Sequence, residues 1–150
     1  WQNNMPVKIR SPYSTRPFQH VLEPLSGYLS LAKKLKNDAS LSGQSFNFGP
    51  SSDSDYKVID VVKALSKYWL DSTWEITQGE KMIQESKLLK LNCDKALSLL
   101  KWKPNLNFST TMKLTSSWYY DFYKKDNMDV FKKCCEQIEI FNNSQNHQMN

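Results

Sequence analysis

Arg16-Pro17-Phe18-Gln19-His20-Val21-Leu22-Glu23-Pro24-Leu25-Ser26-Gly27-Tyr28-Leu29 is the stretch on which the reading of this chain turns. It places one of two arginines, in a chain with eighteen lysines, just ahead of the one internal histidine. Arginine offers a rigid planar fork that matches a diphosphate, whereas lysine is a flexible point charge. Pro24 suits the first turn of a helix, where its missing N–H costs nothing. Leu25, Tyr28, Leu29, Ala32 and Leu35 then recur at helical spacing, opposite Ser26, Ser30, Lys33 and Lys34, and predict an amphipathic helix over 24–36. Lys33, Lys34 and Lys36 sit where a helix C-terminus favours cations, and Asn37 can end it. Gly27 costs up to about 1 kcal/mol of helix stability relative to Ala, a cost easier to accept if something approaches the backbone closely there.

Outward from that helix, Pro6–Arg10 alternates apolar and polar residues and reads as a short strand ending at Ser11-Pro12. Downstream, Phe46-Asn47-Phe48-Gly49-Pro50 reads as a short buried strand. Asn47 between two phenylalanines would then be a buried amide in need of partners from backbone, water or ligand. Ser51–Asp55 offers several N-caps for a second helix, with Val58, Val61, Val62, Leu65 and Trp69 as its apolar stripe. Thr73–Thr77 reads as a strand, Gln78–Lys87 as a polar loop of the kind that covers a site, and Leu88–Leu91 as another short strand. Asp94 would cap a brief helix over 95–100, ended by Trp102-Lys103-Pro104. Ser109 or Thr110 starts a helix with Met112, Trp118, Tyr119 and Phe122 inward, and a last one after Asp126 carries Val130, Phe131, Cys134, Ile138 and Phe141. Residues 142–150 read as a polar, frayed tail.

A length of 150 residues suffices for one domain with a sizeable core, and 13% aromatic residues argue against disorder. The net charge of +5 comes from lysines interspersed with acids, as in Lys33, Lys34, Asp38, Asp60, Lys63 and Lys67. That is the pattern of a solvated surface rather than the clustered basic face of a nucleic-acid binder. No apolar run approaches the length of a membrane span and no signal peptide is visible, so a cytoplasmic protein is expected. Cys93, Cys134 and Cys135 fit neither a disulfide framework nor metal spacing, and reduced thiols are expected. The opening Trp1-Gln2-Asn3-Asn4-Met5 reads as the interior of a longer protein.

Several chemistries fail on spacing. The glycines at 27, 43, 49 and 79 are too far apart for a phosphate loop, and His20 and His147 cannot pair on a metal. Tyr120 and Lys124 have Tyr-x-x-x-Lys spacing, but they lie in an aromatic helix with no dinucleotide-binding unit before them, and read as a coincidence. No nucleophile elbow surrounds any serine. Three candidates remain for a binding role: Arg16, His20 and Asn47. The bland readings beside them are a surface arginine in a weak ion pair and a packed histidine at a strand-to-helix junction.

Taken together, Ile9-Arg10-Ser11-Pro12 and the Arg16–Leu29 stretch closely resemble the matching segment of the CDP-glucose 4,6-dehydratases, which are extended short-chain dehydrogenases. The likeness continues through Phe46-Asn47-Phe48-Gly49-Pro50, Leu89–Ala96 and Leu100–Pro104 to Thr115-Ser116-Ser117-Trp118-Tyr119, and reaches about Ile140. The first block is specific to that dehydratase, while the later Trp-x-Pro and Trp-Tyr blocks recur across the superfamily. The resemblance implies an α/β fold of which residues 1–141 are the C-terminal substrate-binding part, mainly helices with a few short strands. The N-terminal Rossmann half, with its NAD and its catalytic Tyr/Lys pair, would lie upstream. It also implies CDP-glucose as substrate, CDP-4-dehydro-6-deoxy-glucose and water as products, and a homodimer as the complete enzyme.

By the same resemblance, Arg16 matches an arginine used on the substrate diphosphate, and Asn47 an asparagine near the nucleotide, with His20 beside them. The loop before Leu88 reads Gln84-Glu85 where relatives carry a His-acid pair, so Gln84 can hydrogen-bond there without ever carrying positive charge, and Lys81 stands in as the cation. Asn92 replaces an aspartate and is expected to affect only a loop hydrogen bond. The helix over 24–36 and the strand at Phe46 would pack against the upstream domain, so the chain alone should expose an apolar patch. Two alternatives stand beside this reading. One is another nucleotide-sugar dehydratase or epimerase, and the other a non-catalytic helical interaction module whose aromatic stripes are simply core.

Overall fold

The computed structural model describes residues 1–52, 54–77 and 88–146, with side chains as far as 144. The expected site loop 78–87, with Lys81 and Gln84, lies outside the described residues. Among the described residues, four α-helices and two short strands follow one another as β1 (Val7–Ile9), α1 (Leu22–Leu35), α2 (Val58–Ser66), β2 (Trp74–Ile76), α3 (Phe108–Lys124) and α4 (Val130–Asn146). A 3-10 turn, Ala39–Leu41, follows α1, and a π-helical turn, Ala96–Leu100, precedes α3. The architecture is mostly helical with a two-stranded parallel sheet.

β1 and β2 pair in the register Val7 with Trp74, Lys8 with Glu75 and Ile9 with Ile76. Val7 N–H donates to the Thr73 carbonyl and Thr77 N–H to that of Ile9, both at 3.0 Å. Parallel strands need a long crossover, and α1 and α2 lie within this one. The other strands expected from sequence are not formed among the described residues. Phe46–Pro50 is extended with no ladder beside it, and Leu88 makes a single parallel bridge to Thr15. Side chains hold 46–50, Gln19 donating to the Phe48 carbonyl and Asn47 to that of Asn92, while Leu89 N–H of the later segment donates to the Thr15 carbonyl.

The core sits where α1 crosses the 46–50 segment and the π-helical turn. Phe48, Ala96 and Trp102 are buried together, with Leu31, Phe46, Cys93 and Leu100 around them. The Phe48 and Trp102 rings meet edge-on at 5.0 Å. Lys101 closes the π-helical turn in the left-handed conformation at φ 56°, reversing the chain so that Trp102 points back into this core. Trp102 Nε1 donates to Ser26 Oγ at 2.9 Å, so the small polar side of α1 faces inward. Its apolar side, Leu25, Tyr28, Leu29 and Leu35, is exposed.

A second cluster joins α2 to α3. Val62 and Trp69 are buried, as the expected stripe requires, and Ser116 Oγ donates to the Leu65 carbonyl at 2.8 Å. Tyr120 lies edge-on to Trp69 at 5.7 Å, and Lys124 donates to Asn4 Oδ1 at 2.8 Å. Tyr120 thus packs in the α2–α3 cluster, and Lys124 holds the N-terminal residues.

The caps differ from those expected. Asn92, not Asp94, supplies the capping side chain: its Oδ1 accepts from Asp94 N–H at 2.9 Å. Asn107 caps α3 by accepting from Thr110 N–H at 2.9 Å, two to three residues ahead of the expected Ser109 or Thr110. Met112 and Phe141 are buried, but Tyr119, Phe122, Phe131 and Ile138, expected inward, are exposed. α4 runs to Asn146, so the start of the polar tail is helical. No described helix is long and apolar enough to cross a membrane.

Candidate substrate-binding site

The segment 12–16 crosses the start of α2 and covers it with carbonyls. Ser14 O accepts from Val58 N–H and Pro12 O from Ile59 N–H, each at 3.0 Å, which satisfies two N–H groups a helix start leaves free. Thr15 then bridges on one side to Lys57 and on the other to Leu88. Its carbonyl accepts from Leu89 N–H at 3.4 Å and from Arg16 Nη1 at 2.8 Å. Arg16 is thus half-buried, its guanidinium laid along the backbone where the 88–92 segment begins.

Two lysines lie near the bridges of Thr15, Lys57 in one of them and Lys90 two residues past the other. Lys57 lies 5.9 Å from the Tyr13 ring centroid, a weak cation–π contact. Lys90 pairs with Asp55 at 2.7 Å and donates to the Ser52 carbonyl at 3.2 Å. A small cleft beside Pro17 is floored by Pro50, Ser52, Leu89 and Lys90. Lys90 and the serine hydroxyls of this cleft are groups able to donate to an anion.

Asn47 is exposed rather than buried, because the alternation at 46–50 turns Phe48 inward and Asn47 out. Its Nδ2 donates to the Asn92 carbonyl at 3.1 Å. Arg16 and Asn47 therefore flank one extended segment, Arg16 at the Leu88 end and Asn47 at the Asn92 end. Those four steps of chain span at most about 14 Å.

His20, expected at the ligand, is instead only 4% exposed and turned into the fold. Its Nδ1 accepts from Leu22 N–H at 3.3 Å, and its side chain also hydrogen-bonds Gln137 of α4. Burial pushes the imidazole below its ordinary pKa, partly opposed by the Gln137 bond. The neutral ring thus holds the start of α1 against α4. Gln19 beside it donates to the Phe48 carbonyl at 2.9 Å.

Glu23 was not singled out from the sequence, since an acid in a helix's first turn is ordinary. The structure makes it the hub of this junction. It is 1% exposed, and its carboxylate accepts from Asn105 N–H at 3.0 Å and from Leu106 N–H at 2.6 Å. Burial raises its pKa, and the two backbone bonds oppose that rise. Asn105 in turn donates through Nδ2 to the Phe141 carbonyl at 2.6 Å, tying α4 to the same point. No local signal marks Glu23, because its partners lie 82 and 83 residues away.

Among the described residues, no group of His, Cys, Asp and Glu could hold a metal ion. Nor do they offer a dinucleotide cradle. Gly27 abuts Phe48, Gly49 abuts Leu91, and Gly43 stands alone, so none lines a phosphate-binding turn. The described residues do not fit NAD.

No protein-family model matches the chain. Over 134 residues it is 36% identical to the CDP-glucose 4,6-dehydratase of Salmonella typhimurium, a match covering 89% of this chain and 37% of that protein. Among solved structures, it is similar to UDP-glucuronic acid 4-epimerase from Bacillus cereus in complex with UDP-glucuronic acid and NAD. The TM-score is 0.60 at 19% identity, over 82% of this chain and 36% of that one. A Tyr-to-Phe variant of the same epimerase, bound to UDP-4-deoxy-4-fluoro-glucuronic acid and NAD, matches equally well at a TM-score of 0.60. The chain therefore spans under two-fifths of the length of the proteins it matches. Over its matched residues this chain is a homologue of CDP-glucose 4,6-dehydratase, carried on the fold that it shares with the sugar-nucleotide epimerase.

Proposed function

We propose that this chain is the C-terminal, substrate-binding part of a CDP-glucose 4,6-dehydratase, a lyase that converts CDP-glucose to CDP-4-dehydro-6-deoxy-glucose and water. The observation that carries the reading is the 36% identity to such an enzyme over 89% of the chain. Arg16 holds the diphosphate and Asn47 contacts the nucleotide side, and Lys81 and Gln84, outside the described residues, are further substrate contacts. A charge-assisted arginine contact contributes about 1.5–3 kcal/mol to binding. Such a contact does not by itself speed the chemistry, because binding equal in ground and transition states leaves the barrier unchanged. Catalysis and NAD belong to an upstream domain, so the isolated chain is inactive. The exposed apolar side of α1 is the surface that domain covers.

The test is titration of CDP-, dTDP- and UDP-sugars onto the complete protein, in wild-type form and as Arg16→Ala. The expected result is preference for CDP-glucose and a loss of about tenfold or more in affinity on substitution. Equal affinity for the three nucleotides would overturn the CDP assignment and favour a related enzyme, for which the likeness to a UDP-sugar epimerase is the specific support. Unchanged affinity of the Arg16 variant would remove the diphosphate role and favour a non-catalytic helical module.

A further inference from the structure

Arg16 stands four residues before His20, and the chain between them has few places at which it is fixed. Phe18 N–H donates to the Arg16 carbonyl at 2.9 Å, which makes a tight turn immediately after the arginine. Gln19 Nε2 holds the Phe48 carbonyl. His20 is the next anchor, and it joins two elements. With Nδ1 accepting from Leu22 N–H, the ring proton belongs on Nε2, and the bond to Gln137 uses the other side of the ring. Gln137 is itself buried, and its Nε2 donates to the Leu114 carbonyl of α3 at 2.8 Å. A continuous line of hydrogen bonds thus runs from α3 through Gln137 and His20 to the first turn of α1.

We infer that Gln137 and His20 are a pair of positioning residues that set the direction of the Arg16 segment from α4, and that the setting holds only while His20 is neutral. The inference rests on the substrate role proposed for Arg16. Protonating Nδ1 turns the acceptor for Leu22 N–H into a donor, so one proton removes the bond that fixes the start of α1. The acid nearest in sequence is already engaged. Glu23, on α1, is committed to Asn105 and Leu106. Tyr119 of α3 and Cys134 of α4 line the groove around the ring, and neither is a carboxylate. The lowered pKa of His20 agrees with a site arranged for the uncharged ring.

The experiment measures CDP-glucose affinity of the complete protein against pH for wild type, His20→Gln, Gln137→Ala and the double variant, with Arg16→Ala alongside. Gln at position 20 keeps a donor for Gln137 but cannot titrate. The expected wild-type affinity is flat above neutrality and falls with a one-proton slope as the solution turns acidic. His20→Gln is expected to bind within about threefold of wild type at neutral pH and to lose the acid limb. Gln137→Ala is expected to weaken binding by about threefold to tenfold, and the double variant to be no weaker than Gln137→Ala alone. An acid limb that survives in His20→Gln overturns the inference, as do additive losses in the double variant. If Arg16→Ala binds like wild type, the proposed substrate role has failed instead, whatever the pH profiles show.

Discussion

A Cβ built on Gly27 would lie 2.3 Å from Phe48 Cδ1 and 2.6 Å from its Cγ. Real side chains do not approach so closely, and the Phe48 ring cannot retreat because Trp102 stands edge-on behind it at 5.0 Å. Ala would gain up to about 1 kcal/mol of helix propensity, but overpacking of a filled core costs about 1–3 kcal/mol or more. Gly27→Ala is therefore expected to destabilise the protein, with partial recovery when Phe48→Leu is added. Denaturant unfolding of the single and double variants checks this, and a Gly27→Ala protein at least as stable as wild type would refute the close approach. At this scale the close contact at Gly27 was legible, a poor helix former in an otherwise good helix. Arg16 stood out by residue type, and its substrate role is the one proposed above. Glu23 was illegible, since its whole role lies in two backbone N–H groups of a distant segment.

Between elements, α3 and α4 are joined at their connection by one acid. Asp121 meets Lys125 and Lys133, each at 2.6 Å, the Lys133 side chain being the better shielded of the two. Burial alone would raise the Asp121 pKa, but the hydrogen bonds and charges of the two lysines outweigh it and bring the pKa below the ordinary carboxylate value. A depressed carboxylate stabilises the fold above its unfolded pKa and loses that contribution as pH falls through its folded pKa. Asp121→Asn should accordingly be less stable than wild type at neutral pH, with the gap closing below about pH 4. Urea unfolding at pH 7 and pH 3 reads the gap directly, and a difference that persists undiminished at pH 3 would assign it to packing. The helices themselves were legible from spacing, α1 and α2 most clearly. The inward faces of α3 and α4 were not, because periodicity marks an apolar stripe without saying what lies opposite it. Trp118 and Phe122 stack on each other at 5.1 Å, as do Tyr119 and Tyr123 at 6.2 Å, so much of that aromatic stripe is satisfied along the helix itself. The strand expected at Phe46–Pro50 failed for a related reason. It also buried Asn47, which the structure exposes, and a strand needs a neighbour for its backbone that none of the described residues provides.

Across the whole molecule, the apolar surface is distributed as in a part of something larger. Leu29 is 73% exposed, Tyr28 56% and Phe131 80%. A groove of about 580 Å³ opens between the start of α1 and the facing sides of α3 and α4, lined by Val21, Leu25, Trp118 and Ile138. Contiguous apolar surface of this kind marks an interaction face or an aggregation liability. α1 makes the argument sharper, since its polar, small-residue side carries Gly27, Ser26 and Glu23 into the core while its leucines face out. A helix oriented by its core contacts alone would show the opposite arrangement. The 150-residue chain on its own is therefore expected to bind hydrophobic dyes, self-associate at micromolar concentration and unfold with low cooperativity. Leu29→Lys should reduce that association in the isolated chain. In a protein of the length of the dehydratase relative, the same substitution should destabilise, because there it would place a charge at a covered face. Sedimentation of the short chain and thermal unfolding of the long one test the two signs separately. A short chain that remains a monomer and melts cooperatively at high temperature would show that the exposed face of α1 needs no cover.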